Sequence, residues 1–201
     1  MCGRYYVDDE TAREIEKLVR QIGEKKRRES MQAVDRISAG DIYPGENAPV
    51  LSERDGSICC GWQHWGFPGF HGKKLIFNAR CESALEKPLF RDSIRHRRIV
   101  IPASWFYEWN PRKEKNIFRR KDMPVLFMAG FCRRYEDGEH FVILTTAANA
   151  SMEPVHDRMP LILEKDEIAE WMLDDTKTES ILHQTPCLLE RKTDYEQMRL
   201  F

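Results

Sequence analysis

The chain has 201 residues, of which 41% are hydrophobic and 32% are charged, with 11 glycines and 10 prolines. This composition is typical of one globular domain, and it excludes a wholly disordered, collagen-like or membrane-spanning protein. Lysine and arginine together number 32 and aspartate and glutamate 33, so the net charge of −1 does not by itself indicate a polyanionic partner.

The first predicted element is a helix over about residues 11–26. Apolar residues recur there with the spacing of one helical face, at Ile15, Leu18, Val19 and Ile22. Thr11 followed by Glu14 has the pattern of a capping box and predicts that the helix begins there.

Short segments of strand composition follow, with predicted ranges 48–51, 58–65, 74–77, 98–101, 105–109, 125–131 and 141–146. The dipeptides Asp55-Gly56 and Asp137-Gly138 predict hairpins. Helices return at about 166–173 and 178–184. Many strands without regular helical crossovers favour a single α+β domain over 1–201, mainly antiparallel, with a sheet or barrel-like core and flanking helices.

Charge is segregated along the chain. Residues 87–121 hold eleven basic and three acidic side chains, whereas residues 151–201 hold six basic and twelve acidic ones. A chain of this kind can present a positive face to phosphates while it stays near neutral overall, because attraction at contact depends on local charge. Solvated charge runs explain the pattern equally well, so the sequence leaves both interpretations open.

Six cysteines occur, at Cys2, Cys59, Cys60, Cys81, Cys132 and Cys187. The polar N-terminus lacks the pattern of a secretory signal, so we expect a cytoplasmic protein with reduced thiols. No Cys-x-x-Cys pair occurs and no histidine has ligand spacing to a cysteine, so we expect no metal and no cofactor.

Cys2 is the most informative residue, because removal of the initiator methionine would leave it with a free α-amine beside its thiol. An aldehyde forms an imine with such an amine, and the neighbouring thiol then closes a thiazolidine ring in an effectively unimolecular step. On position alone, the sequence favours the alternative that Cys2 is a structural residue of a buried first strand.

Downstream motifs resemble the SOS-response-associated peptidase (SRAP) family. In family order they are Met1-Cys2-Gly3-Arg4-Tyr5, Trp65-Gly66, Asn78-Ala79-Arg80-Cys81-Glu82, Phe106-Tyr107-Glu108-Trp109, Thr145-Thr146-Ala147-Ala148-Asn149 and His156-Asp157-Arg158-Met159-Pro160. The resemblance is strongest over residues 2–172. It implies a mixed α/β domain that binds single-stranded DNA and crosslinks to abasic sites, largely in a single turnover.

The resemblance also implies the reacting residues. Cys2 would supply the amine and the sulfur, and Asn78 would position the sugar and the cysteine. Glu108 would hold or accept a proton beside the amine, and His156 would assist opening of the sugar ring. Each of the last three has a structural alternative. Asn78 can end a strand, Glu108 can form an ion pair with a basic side chain such as Arg80, and His156 can be an ordinary exposed histidine.

For DNA binding, the resemblance implies phosphate contacts by Arg4, Arg80 and Arg158. Trp65 and Phe70 are candidates for stacking on flanking bases, with core packing as the alternative. The chain departs from the family pattern at Asp41, where an asparagine is usual, so no phosphate contact is assigned to that position. Trp105 likewise stands where a glycine is usual.

The leading hypothesis is therefore a monomeric protein that forms a thiazolidine with abasic single-stranded DNA and is nucleoid-associated when bound. An N-terminal-nucleophile cysteine peptidase or amidohydrolase, which would include autoproteolytic removal of Met1, is the alternative. A lyase reaction at the abasic site is a further possible activity, and a noncovalent single-strand binder with a structural Cys2 is the third class.

Overall fold

The computed structural model describes residues 2–20, 24–69 and 74–193. Its strands are β1 (Tyr5–Val7), β2 (Gly40–Ile42), β3 (Asn47–Arg54), β4 (Ser57–Trp65), β5 (Phe67–Pro68), β6 (Leu75–Ile76), β7 (Asn78–Arg80), β8 (Arg98–Ala103), β9 (Trp105–Trp109), β10 (Lys115–Arg119), β11 (Leu126–Tyr135), β12 (Gly138–Ala147), β13 (Arg158–Pro160), β14 (Ile162–Leu163) and β15 (Glu190–Thr193). Its helices are α1 (Asp9–Val19), α2 (Glu24–Val34), α3 (Cys81–Ala84), α4 (Arg91–His96), α5 (Glu167–Leu173) and α6 (Thr178–Leu182).

Five strands close into a barrel. The strand β3 pairs antiparallel with β4 and β8, β8 pairs with β11, and β11 pairs with β12. A parallel pairing between β12 and β4, with Phe141 opposite Trp65, completes the ring. Closure leaves these five strands without an unpaired edge along the joined segments, which removes a site of aggregation.

The strand β12 extends beyond the ring and carries two short strands. On one edge it pairs in parallel with β7, with Asn78 opposite Ile143, and on the other edge it pairs with β13, with Arg158 opposite Ala147. A second sheet has the order β15-β10-β9-β1-β2, so β1 lies between β9 and β2. These two arrangements bring the N-terminal strand and the motifs at residues 78–80 and 156–160 to one region.

The barrel strands alternate between two hydrophobic clusters. In β8, Val100 packs in a cluster with Ile15 and Trp171, whereas Ile99 and Ile101 pack in a second cluster. That second cluster also contains Cys2, Tyr5 and Trp65. Because successive side chains of a strand point to opposite faces, one sheet layer separates a core covered by helices from a core that adjoins the N-terminal strand.

The predicted fold class is confirmed, since the described residues form a mainly antiparallel α+β domain with a barrel core. All seven predicted strand segments contain strands, and both predicted hairpins form. Asp55 and Gly56 have φ values of 48° and 74°, the left-handed backbone that a tight hairpin turn requires. The helices predicted at 166–173 and 178–184 correspond to α5 and α6.

The predicted start of the first helix is wrong. The N-cap is Asp8, whose carboxylate accepts hydrogen bonds from the backbone N–H groups of Glu10 and Thr11. The Thr11 hydroxyl instead lies 2.8 Å from that of Ser104 and is buried. Asp8 starts the helix better because it satisfies two N–H groups of the first turn and adds a negative charge at the positive end of the helix. Residues 21–23 of the predicted helix lie outside the described residues.

Across the described ranges, every helix is too short or too polar to traverse a lipid bilayer.

Gly130 of β11 is a close-packed point of the barrel. A Cβ atom there would lie 2.5 Å from the carbonyl oxygen of Val142 and 2.6 Å from a methyl carbon of Ile101. We expect Gly130→Ala to lower the free energy of unfolding by about 1–3 kcal/mol through overpacking, as measured by chemical denaturation. Gly40→Ala is the control, since nothing lies within 4 Å of a Cβ atom there. Equal stability of the two variants would contradict this packing.

Candidate active site

Cys2 is buried immediately before β1. Its side chain is 1% exposed, and its thiol donates a long hydrogen bond, 3.7 Å, to the carbonyl oxygen of Arg4. Burial, together with the negative charge of Glu108, raises the pKa of the Cys2 thiol to about 12. The sulfur is therefore held as a neutral thiol at physiological pH.

Asn78 fixes the backbone of Cys2. Its side-chain amide donates a hydrogen bond of 2.9 Å to the Cys2 carbonyl oxygen. The other polar atom of this side chain, Oδ1, is buried and has no hydrogen-bond partner among the described residues. The pairing of β7 with Ile143 holds Asn78 in place, so one end of its amide binds the protein and the other remains available to a ligand.

Glu108 reaches the same region from β9. Tyr5 of β1 lies opposite Phe106, and the Tyr107 N–H donates to the Arg4 carbonyl oxygen, so the antiparallel alignment continues toward Cys2. The Glu108 side chain is 6% exposed, and its Oε1 accepts a hydrogen bond of 3.3 Å from the Trp109 N–H. The structure thus brings Cys2, Asn78 and Glu108 together, although they are 30 to 106 positions apart in the sequence.

His156 lies in the turn before β13, with 27% of its side chain exposed. Its Nδ1 accepts a hydrogen bond of 2.9 Å from the Arg158 N–H, which requires that this nitrogen carry no proton. Asp157 lies 2.9 Å from the same nitrogen and forms an ion pair with the ring only when the ring is protonated. The preceding residue, Val155, packs in the same cluster as Cys2.

Arg4 is held by a carboxylate and two aromatic rings. Its guanidinium bonds to Asp41 and lies 4.5 Å from the ring centre of Tyr107 and 5.2 Å from that of Tyr43. The hydrogen bond that Arg4 donates to the Asp41 carboxylate raises the pKa of Arg4. Asp41, where the chain departs from the family pattern, is therefore the anion that binds Arg4 within the protein. Sequence reasoning missed Asp41 and the two tyrosines as partners of Arg4.

The two other arginines differ in exposure. Arg158 is 9% exposed and forms a two-point ion pair with Glu82, whose pKa it lowers, while it also bonds to the Thr145 carbonyl oxygen. Its guanidinium is thus occupied inside the protein. Arg80 is exposed at the start of α3 and has no ion pair among the described side chains, so it is the more accessible of the two to a phosphate.

Trp65 is a core residue and not a surface for stacking. Its side chain is completely buried, its indole N–H donates to the Phe77 carbonyl oxygen at 3.0 Å, and it packs against Tyr5 and Phe141. A base therefore has no exposed indole face to contact. Phe70, the other expected stacking residue, lies outside the described residues.

The basic segment at 87–121 is partly neutralised by the acidic C-terminal region. Buried Arg98 pairs with Asp175, buried Arg120 pairs with Glu164, and Arg119 pairs with Glu190. The expectation of one uniformly positive face is therefore only partly met. The exposed cations Lys87, Arg91 and Arg95 of this segment have no ion pair within the parts of the chain that the structure describes.

Comparisons with known proteins give a consistent result. The family model described as SOS response associated peptidase (SRAP) matches residues 1–200. The chain is 30% identical over 181 residues to the abasic site processing protein YedK of Escherichia coli, covering 86% of this chain and 79% of that protein. Identity to the abasic site processing protein YoaM of Bacillus subtilis is 30% over 146 residues, covering 66% of this chain and 64% of that protein.

The fold has also been seen in a solved structure of a phage-related protein from Bordetella bronchiseptica. The TM-score is 0.75 at 21% identity, and the match covers 96% of this chain and 93% of that one.

Glu108→Gln removes the negative charge that helps to raise the pKa of Cys2. We expect the thiolate fraction at a fixed, mildly alkaline pH to rise, so that iodoacetamide alkylates Cys2 severalfold faster. Peptide mass spectrometry measures this rate, and the Cys187 peptide of the same sample is the internal control. An unchanged Cys2 rate would show that Glu108 does not act on the thiol.

Asp41→Asn removes the internal anion from Arg4 and leaves the guanidinium free for a phosphate. We expect tighter binding of single-stranded oligonucleotides and a salt dependence steeper by about 0.7 in log–log slope, the increment for one added phosphate contact. Fluorescence anisotropy over a salt series measures both. Glu179→Gln changes the net charge equally on an exposed face of α6 and is the control; an identical effect of the two variants would refute a specific role of Asp41.

Proposed function

Because the chain belongs to the SOS response associated peptidase (SRAP) family, we propose that it binds single-stranded DNA and joins Cys2 covalently to abasic sites. The curated relatives reported above are named abasic site processing proteins. The observation that carries the proposal is the contact of Asn78 with Cys2 beside the carboxylate of Glu108, three residues that lie far apart in the sequence.

The proposed reaction requires that Met1 be removed, which frees the α-amine of Cys2. The amine adds to the aldehyde carbon of the ring-opened abasic sugar, and loss of one water molecule gives an imine. The sulfur then adds to the imine carbon while the thiol proton passes to the nitrogen, so a five-membered thiazolidine closes. No oxidant or cofactor is needed, and water is the only product released.

The high pKa of the Cys2 thiol favours this order of steps. Burial raises this pKa to about 12 in the chain that still carries Met1, and a buried neutral sulfur is a poor first nucleophile. An α-amine ordinarily titrates near 7.7 to 8.0, so a useful fraction is neutral and can attack first. The same property disfavours the alternative cysteine peptidase, which needs a thiolate to attack an amide.

The neighbouring groups have roles that suit this chemistry. Glu108 can accept a proton from the attacking amine and return it to the departing water. The amide of Asn78 holds the Cys2 backbone with its nitrogen and has Oδ1 available for a sugar hydroxyl. His156, at the same end of β12, would transfer the proton that opens the cyclic sugar.

Recognition of an abasic strand requires contacts that do not read a base. Arg80, which is exposed, would bind a phosphate, and Arg4 would do so when a phosphate competes with Asp41. Such contacts position the backbone independently of sequence, which is appropriate for a site that lacks its base. Arg158 contributes by holding Glu82, and through it α3, next to the site.

Cys2→Ala is expected to abolish a covalent adduct with a single-stranded oligonucleotide from which uracil has been excised. Intact-mass spectrometry of the protein before and after incubation reports the loss of Met1 and the mass of the adduct, which should be the sum of the two components minus one water. Cys187→Ala is the matched control and should react normally. An adduct that persists in Cys2→Ala would refute the proposed chemistry, and turnover of amide substrates with a burst would favour a peptidase.

A further inference from the structure

A groove of about 540 Å³ adjoins the candidate site. Its walls are mainly apolar and come from the segment between β6 and α4, with Ile76, Pro88, Leu89 and Phe90 as the apolar members. Ile76 and Leu89 are half-buried and Pro88 is exposed, so their apolar surfaces are open to the groove. This volume lies in the range of small-molecule sites and is sufficient for one nucleobase with its sugar.

The groove is continuous with the candidate active site through Asn78. This residue lines the groove and also donates the hydrogen bond to the Cys2 carbonyl oxygen. A nucleotide whose sugar reacts at Cys2 therefore has an immediate neighbour within reach of the groove, because consecutive nucleotides of a strand are covalently linked.

Two cations stand at the rim. Arg80 and Lys87 both line the groove and are exposed, and neither has an ion pair among the described side chains. The Lys87 ammonium lies 5.9 Å from the ring centre of Phe90. Glu82, the nearest acidic neighbour of Arg80 in sequence, is bound by Arg158 on both carboxylate oxygens, so it offsets the charge of Arg80 only through space and not by an ion pair. The apolar walls of the groove suit the flat faces of a nucleobase, and the two cations suit the phosphates on either side of it.

We infer that this groove receives the base of the nucleotide next to the abasic site, while Arg80 and Lys87 bind the adjoining phosphates. The inference rests on the proposed function and adds a base-binding subsite to it. The apolar walls contact the faces of the base and read no hydrogen-bonding edge, so the subsite accepts any of the four bases and requires only that one be present. The nucleotide that reacts with Cys2 has no base, and the groove binds the base of the nucleotide next to it.

The test uses oligonucleotides with a central tetrahydrofuran residue, an unreactive abasic analogue, so that equilibrium binding is measured without crosslinking. A second tetrahydrofuran replaces the flanking nucleotide on the 5′ or the 3′ side, which deletes one base and keeps every phosphate. We expect the affinity to fall roughly 5- to 150-fold for deletion on one side only, the range for loss of one stacked base.

Variants connect this effect to the groove. We expect Leu89→Asp to bind the oligonucleotides with and without the flanking base with equal affinity. Pro88→Asp, at the exposed wall of the groove, replaces it as the test if Leu89→Asp does not fold. Lys87→Ala should weaken binding of both oligonucleotides by the same factor, because a phosphate contact does not depend on the base. Leu173→Asp changes an exposed leucine on α5 in the same way and is the control that should keep the full base dependence.

The outcomes separate the subsite from the reaction. Equal affinities with and without the flanking base, equal losses on both sides, or a base dependence that survives in the groove variants would overturn the subsite. The covalent reaction is scored independently, by the adduct that the wild-type protein forms with a true abasic site in the same sequence. Absence of that adduct would refute the proposed function whatever the binding data show.

Discussion

The parallel contacts of β12 are the constraint on which the arrangement depends. One strand closes the barrel by pairing with β4, aligns Asn78 by pairing with β7, and on its other edge holds the strand that follows His156. Because the side-chain period of a strand is two residues, a shift of one position in this register would turn Asn78 away from Cys2. The barrel is thus the support that sets the position of Asn78 and of the strand that follows His156.

Ion pairs between the basic segment at 87–121 and the C-terminal region neutralise some of the positive charges and leave others available at the surface. Arg98, Arg119 and Arg120 of the basic segment are paired with acids of the C-terminal region, two of them while almost completely buried. In the two pairs with a buried arginine, the partner side chains of Asp175 and Glu164 are exposed, so loss of the acid would leave a buried cation without this ion pair. Three cations of the basic segment thus join the middle of the chain to its C-terminal region, whereas Lys87 of this segment and Arg80 remain exposed beside the groove.

The sequence predicted the long strands well, but it missed the helix α2 and most of the short elements. The barrel strands carry enough alternating or continuous apolar residues to be recognised, and the Asp-Gly turns mark two hairpins. The strands β1, β7 and β13 have three residues each, and they exist because β9 or β12 offers hydrogen bonds to them, a tertiary effect that no local pattern contains.

The ordered motifs were sufficient to identify the family. They did not predict which of the motif residues are buried or bound to other side chains in the folded chain. Trp65 lies in the core, Arg158 is engaged with Glu82, and Asp41 occupies Arg4, none of which can be inferred from spacing alone.

The contact between Asn78 and Cys2 also bears on the timing of the proposed removal of Met1. The segment at 138–147 that aligns Asn78 is synthesised some 136 positions after Cys2, so at about 5–20 residues per second the first residues emerge from the ribosome roughly 7–27 s before their final partner exists. During that interval an aminopeptidase has access to the Met1-Cys2 bond, whereas in the finished domain the Cys2 side chain is 1% exposed and its carbonyl group is engaged. Translation speed would then influence what fraction of molecules acquires a free terminal amine.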